Sequence, residues 1–189
     1  MNEQLLAIQK ILKVNANPLA LNASNKFVPG AKNVYGVRMP VINELAKQFK
    51  EGSFQLVNEL WQSGAFEEKI LAAKMLGLIA KQDAAQSLQL VEMFANGIAD
   101  WAVCDAVGMQ ALHPIRKTHQ KEIFTLAKKL NISPNLWKRR LSLVLVEWYT
   151  REKSLHADIH KLVHVLEKDN EYYVQKAVVW IKRNMLKGR

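Results

Sequence analysis

The helical segments of this chain come in pairs that recur at a nearly fixed interval. "FQLVNELWQSG" is followed by "AFEEKILAAKMLGLIAK", and "AAQSLQLVEMFANG" by "IADWAVCDAVGMQALH". "THQKEIFTLAKKLN" is followed by "SPNLWKRRLSLVLVEWYTRE", and "SLHADIHKLVHVLEKDN" by "EYYVQKAVVWIKRNMLK". The second members begin near Ala65, Ile98, Ser133 and Asn170, at spacings of 33, 35 and 37 residues. Apolar residues follow the helical period nearly everywhere, and no strand-like alternation is convincing. A helix–turn–helix unit of this length cannot bury its apolar face alone, so successive units must stack.

The spacing therefore predicts an all-α fold, a superhelical α-solenoid of HEAT-like helix pairs with a concave basic face. The expected organisation is a single domain over residues 1–189, with N-terminal helices and a loop over 1–50 and four helix pairs over 53–187. A first helix runs from Glu3 to Val14. The Pro-, Gly- and Asn-bearing stretch "NANPLALNASNKFVPGAKNVYG" reads as too broken for a regular helix until Pro40. In stacked pairs the second helices lie side by side, so residues some 35 positions apart become neighbours.

One stretch on those second helices breaks the apolar pattern. In "ADWAVCDAVG", Asp100 sits where a helix begins and reads as a cap. Asp105 lies inside the run, one turn after Trp101 and on the same face. On the next second helix, Trp137 and Arg140 share a face, with Lys138 and Arg139 between them. On the last, Val174, Ala177, Val178, Ile181 and Met185 form the expected core stripe. Trp180 falls off that stripe, on the side of Tyr173, Lys176, Arg183 and Lys187. An aromatic flanked by cations and turned from the core suits nucleic-acid contact.

Charge supports a polyanionic partner. The 189 residues carry a net +10, with 27 basic and 17 acidic residues. The imbalance lies in the second half, where Asn96 to Arg189 holds 17 basic and 9 acidic residues. The single cysteine, Cys104, excludes an internal disulfide, and no apolar run reaches membrane-spanning length. The expectation is a monomeric protein of the cytoplasm, associated with the nucleoid and without a membrane partner.

Each residue also has a plainer reading. A tryptophan in a helical repeat is more often core than contact. Asp105 with Arg140 reads equally as an ion pair tying neighbouring repeats or as catalytic machinery. "WKRR" on its own is a solvated basic patch. His156, His160 and His164 have the spacing to hold a metal from one helix face, but no Cys or carboxylate cluster completes a site, and a solvated face is the better reading. Cys104 reads as a small buried hydrophobe rather than a nucleophile. Without a Gly-rich phosphate loop, CxxC, GxSxG or HExxH, the sequence offers no cofactor or metal site.

These residues bring out a resemblance. "YGVRMPVINELAK", "LWQSGAFEEKILAAKML", "DWAVCD", "NLWKRRLSLVLVEW" and "YYVQKAVVWIKR" are similar to segments of the AlkD family of DNA alkylation repair proteins, HEAT-like-repeat DNA glycosylases. Active members carry Trp-x-x-x-Asp on one helix, Trp-x-x-Arg on the next pair and a Trp after a Gln-Lys-Ala stretch. The resemblance implies that Asp105 is the catalytic carboxylate and Arg140 the family's arginine. It places Trp101 and Trp180 against the sugar-phosphate backbone of the damaged nucleotide, and Phe27 at the position of an N-terminal aromatic that is commonly Tyr. The implied activity is hydrolysis of the N-glycosidic bond of N3- or N7-alkylated purines in duplex DNA, without base flipping. The chain stops at "LKGR" soon after Trp180, where fuller members continue, which implies a surface shortened at one end. Two other readings remain: a non-catalytic solenoid for damaged or branched DNA, and a protein-binding scaffold in which Trp101 and Trp180 are core.

Overall fold

A computed structural model describes residues 2–187, so the last two residues of "LKGR" lie outside the described part. The N-terminal region holds α1 (Glu3–Val14), α2 (Pro18–Phe27) and α3 (Met39–Gln48). Asn2 caps α1 by accepting the Gln4 N–H, and Ile8 and Leu12, one turn apart, bury its inner face.

The helix α2 corrects the expectation of an irregular stretch before Pro40. Its start combines two strong local signals. The Asn17 side chain accepts the N–H groups of Leu19 and Ala20, and Pro18 stands in the first turn, where a missing N–H costs nothing. None of its residues is fully buried, which is why no apolar stripe betrayed it. The chain then turns through Gly30, whose φ is +99°. A Cβ there would lie 2.3 Å from the Ala99 carbonyl oxygen, so only glycine lets this turn approach the middle of the chain.

Four helix pairs follow. They are α4 (Phe54–Gln62) with α5 (Phe66–Ile79), α6 (Ala84–Phe94) with α7 (Trp101–Ala106), α8 (Gln120–Asn131) with α9 (Leu136–Val144), and α10 (His156–Leu166) with α11 (Tyr172–Lys187). The second members start 35, 35 and 36 residues apart. They pack in chain order, α5 on α7, α7 on α9 and α9 on α11, while α6, α8 and α10 stack behind them. This is the two-layer, neighbour-on-neighbour arrangement of a helical repeat protein. Helix α5 is apolar nearly all round and is packed by α3, α4 and α7.

Two second helices are shorter than their periodicity suggests. Asp100 caps α7 by accepting the Val103 N–H at 2.8 Å. After Ala106 the chain continues as a π-helical turn over Val107–Ala111 and a 3₁₀ turn over His113–Ile115. Gly77 of α5 permits this: a Cβ there would sit 2.4 Å from the Gln110 carbonyl oxygen. Likewise α9 stops at Val144 and gives way to a 3₁₀ segment over Glu147–Arg151, where one continuous helix was expected. Single π turns inside helices gather at functional sites, and this one begins two residues after Asp105.

Candidate active site

Asp105 and Arg140 come from adjacent second helices, α7 and α9, and meet side-on. Arg140 donates from Nη2 to both carboxylate oxygens, at 2.9 and 3.0 Å, and from Nε to Oδ1 at 3.1 Å. Its Nη1 donates to the Tyr173 carbonyl of α11 at 2.7 Å, so the guanidinium joins three successive second helices. Only 7% of the Arg140 side chain is exposed, against 23% for Asp105. The pair is thus buried from the arginine side and open from the carboxylate side.

Two opposing effects set the charge of Asp105. Burial pushes its carboxyl above the ordinary aspartate value, and the Arg140 charge and hydrogen bonds pull it back without cancelling the rise. Burial also pushes the thiol of neighbouring Cys104 well up, with the Asp105 charge adding to the rise. Cys104 is fully buried and donates to the Trp137 carbonyl, the environment of an inert core cysteine.

Asp105 stands where two clefts meet. The first, about 730 Å³, is largely apolar and lies between α2, α3, α5 and α7, with Met39, Phe66, Ile70, Trp101 and Met109 in its walls. The second, about 570 Å³, lies against α11 and is lined by Arg140, Gln175, Lys176, Trp180 and Arg183. The five residues expected to form the core stripe of α11 are all buried, and Trp180 is half-buried at the cleft wall. Trp101 is also half-buried, and its indole donates to the Phe27 carbonyl at 3.0 Å. The Phe27 ring itself is 61% exposed, with Lys26 over it. Neither Trp101 nor Trp180 is core, as a pure scaffold would require.

The other residues singled out fall elsewhere. The Trp137 ring packs on Tyr173 with ring centres 5.2 Å apart and lines neither cleft. Arg139 is engaged inside the protein. It pairs with Asp169 at 2.6 Å and donates to the carbonyls of Ser133 and Pro134, bracing the turn before α9. Lys138 is half-buried and pairs with no carboxylate among the described residues. In the histidine stripe, the His156 ring bonds the Thr150 carbonyl and His164 pairs with Glu167.

Two features escaped the sequence reading. Glu67 and Glu68, each 1% exposed, anchor the segment leading into α3. Glu67 accepts the N–H groups of Tyr35, Gly36 and Val37 at 2.9, 2.7 and 3.0 Å, and Glu68 accepts the Tyr35 hydroxyl. The available signal was a pair of carboxylates opening a helix that is otherwise apolar. Gln175 closes α10 by donating to the carbonyls of Leu166, Glu167 and Asp169.

Fold and site together define an all-helical repeat protein with an ion-paired carboxylate at the junction of two clefts, one of them basic. A family model described as DNA alkylation repair enzyme matches residues 8–187. The chain belongs to that family, which is one of enzymes in DNA repair. No curated protein matches it. No helix among the described residues is long and apolar enough to cross a membrane.

Proposed function

We propose that this chain, acting as a single domain, is a DNA glycosylase that hydrolyses the N-glycosidic bond of N3- or N7-alkylated purines in duplex DNA. The observation that carries this reading is the Asp105 carboxylate, held on one side by Arg140 and open on the other, at the mouth of a basic cleft walled by Trp180.

An alkylated purine already carries positive charge, so it leaves as a neutral base with the electrons of the C1′–N bond. Positive charge then develops on the deoxyribose. The Asp105 carboxylate would stabilise that charge and orient a water toward C1′, accepting its proton as the new C–O bond forms. Arg140 acts as a positioning residue: its fork fixes the carboxylate and favours the ionised form. The faces of Trp101 and Trp180 would pack on the sugar and attract the developing cation. Lys176 and Arg183, on the rim of the second cleft, would hold phosphates. Departure of a good leaving group does not demand that the base be flipped into a pocket.

The test is release of methylated base from alkylated duplex DNA, comparing the native protein with Asp105→Asn. Release by the native protein and a large loss in the variant is the expected result. No release by either, with salt-sensitive DNA binding retained, would leave a non-catalytic DNA-binding protein of the same fold.

A further inference from the structure

Three basic side chains gather around one indole outside the site described above. The Arg116 guanidinium carbon lies 3.9 Å from the centre of the Trp148 ring, Arg151 lies 5.1 Å from it, and the Lys117 ammonium 6.0 Å. Arg116 and Arg151, with His113, border a cleft of about 320 Å³. Four features make this more than a chance cluster of surface charge.

First, the cluster is built. The Tyr149 hydroxyl, from a side chain 1% exposed, donates to the Arg116 carbonyl at 2.7 Å and pins that backbone. Trp148 stacks edge-on against the Tyr149 ring, so the indole that carries both guanidiniums is fixed from below. Second, neither guanidinium is ion-paired, and at Arg116 the more distant charges of Glu147 and Glu152 offset the Arg151 repulsion only in part. Among the described residues no carboxylate lies within ion-pair distance of Arg116 or Arg151. Glu147 lines the same cleft, but its Oε1 accepts from Asn184 of α11. Third, the like charges strain one another. Burial first, and then the charge of Arg151, hold the Arg116 guanidinium below its ordinary value against the opposing charges of Glu147 and Glu152, and an incoming anion offsets the Arg151 repulsion.

Fourth, the position is continuous with Asp105. Met109 lines both this cleft and the apolar cleft at Asp105. Val144, which ends α9, lines this cleft, and Arg140, one turn earlier on the same helix, lines the basic cleft.

We infer that Arg116, Trp148 and Arg151 form a second phosphate clamp, which holds the backbone of the duplex flanking the damaged nucleotide. The inference rests on the DNA-directed function proposed above. The indole gives the two guanidiniums a fixed spacing, so they meet a phosphate with little loss of side-chain freedom.

The experiment is equilibrium binding to an undamaged duplex of two helical turns across a salt series. The native protein is compared with Arg116→Gln, Arg151→Gln, the charge-retaining Arg116→Lys, and Lys161→Gln. Lys161 lies on α10, in the other layer, and serves as a control of equal charge. Each arginine-to-glutamine change is expected to lower the slope of log affinity against log salt by about 1. Arg116→Lys should keep most of the slope, and Lys161→Gln should leave it as it was. Native slopes in both glutamine variants, or a loss matched by Lys161→Gln, would overturn the clamp and leave the glycosylase reading standing. A native protein without salt-sensitive duplex binding would overturn both.

Discussion

The indole of Trp101 donates to the carbonyl of Phe27 at 3.0 Å, across 74 residues of sequence. That bond ties the end of α2 to the start of α7, the helix that carries Asp105. With the close approach of Gly30 to Ala99, it closes the wall of the apolar cleft beside the carboxylate. The N-terminal helices are therefore part of the site's construction.

Trp101→Phe tests that tie. It keeps an aromatic face but removes the donor, leaving the Phe27 carbonyl to find water. The expected cost is about 1 kcal/mol of global stability. Hydrogen exchange should quicken over residues 18–28 more than elsewhere, and uniform exchange would count against a local tie.

Arg140→Met removes the guanidinium from a carboxylate that is mostly buried. An uncompensated charge of this kind costs roughly 3 kcal/mol. Asp105 should titrate higher still, because the two effects opposing burial are gone. Combining Arg140→Met with Asp105→Asn should recover part of the loss, a coupling that a double-mutant cycle in denaturant measures directly.

On the proposed glycosylase reading, the raised titration of Asp105 gives stability and catalysis opposite pH dependences. The folded carboxyl holds its proton more tightly than the unfolded one, whose value is about 4. Its contribution to stability is full below the unfolded value and is lost as pH rises through the folded one. Catalysis needs the ionised form, so base release should rise with pH over the same interval, along a limb above about 4. Single-turnover release across pH would show it, and Asp105→Asn should abolish the limb along with the activity.

Arg139→Gln addresses a residue that lies beside Arg140 in sequence and does different work. Burial pushes the Asp169 carboxyl upward, but the Arg139 hydrogen bond, the Glu171 N–H and the Arg139 charge outweigh it and hold the group below its ordinary value. That stability is present above the unfolded value and is lost as pH falls through the folded one. The variant should lose about 2 kcal/mol at neutral pH and less in acid. A lower salt slope for DNA binding with no loss of stability would return Arg139 to the binding surface.

Glu67→Gln probes the brace under α3. Both carboxylate oxygens accept backbone N–H groups, so an amide must turn its NH₂ toward a donor. A loss of about 2 kcal/mol is expected, with thermal melts as the readout.

The sequence by itself determined the helix pairs, their repeat and the meeting of the two residues at the centre of the candidate site. Apolar periodicity is a local property, and it set the core stripe of α11 and left Trp180 off it. The repeat then placed Asp105 and Arg140, 35 positions apart, on neighbouring helices. The helix α2 was written in the Asn17 cap and Pro18 but carried no buried stripe to reveal it. Other features depend on lateral contacts that no local pattern encodes. Arg139 and Arg140 are adjacent and chemically identical, yet one helical step of 100° turns the first toward Asp169 and the second toward Asp105. Glu67 gained its partners only when the 35–37 segment folded over the start of α5, and Arg116 met Trp148 only when two 3₁₀ turns replaced the ends of two expected helices. Tertiary structure decided these because an ion pair or a stacked cation is settled by which side chains the packed helices bring within a few ångströms.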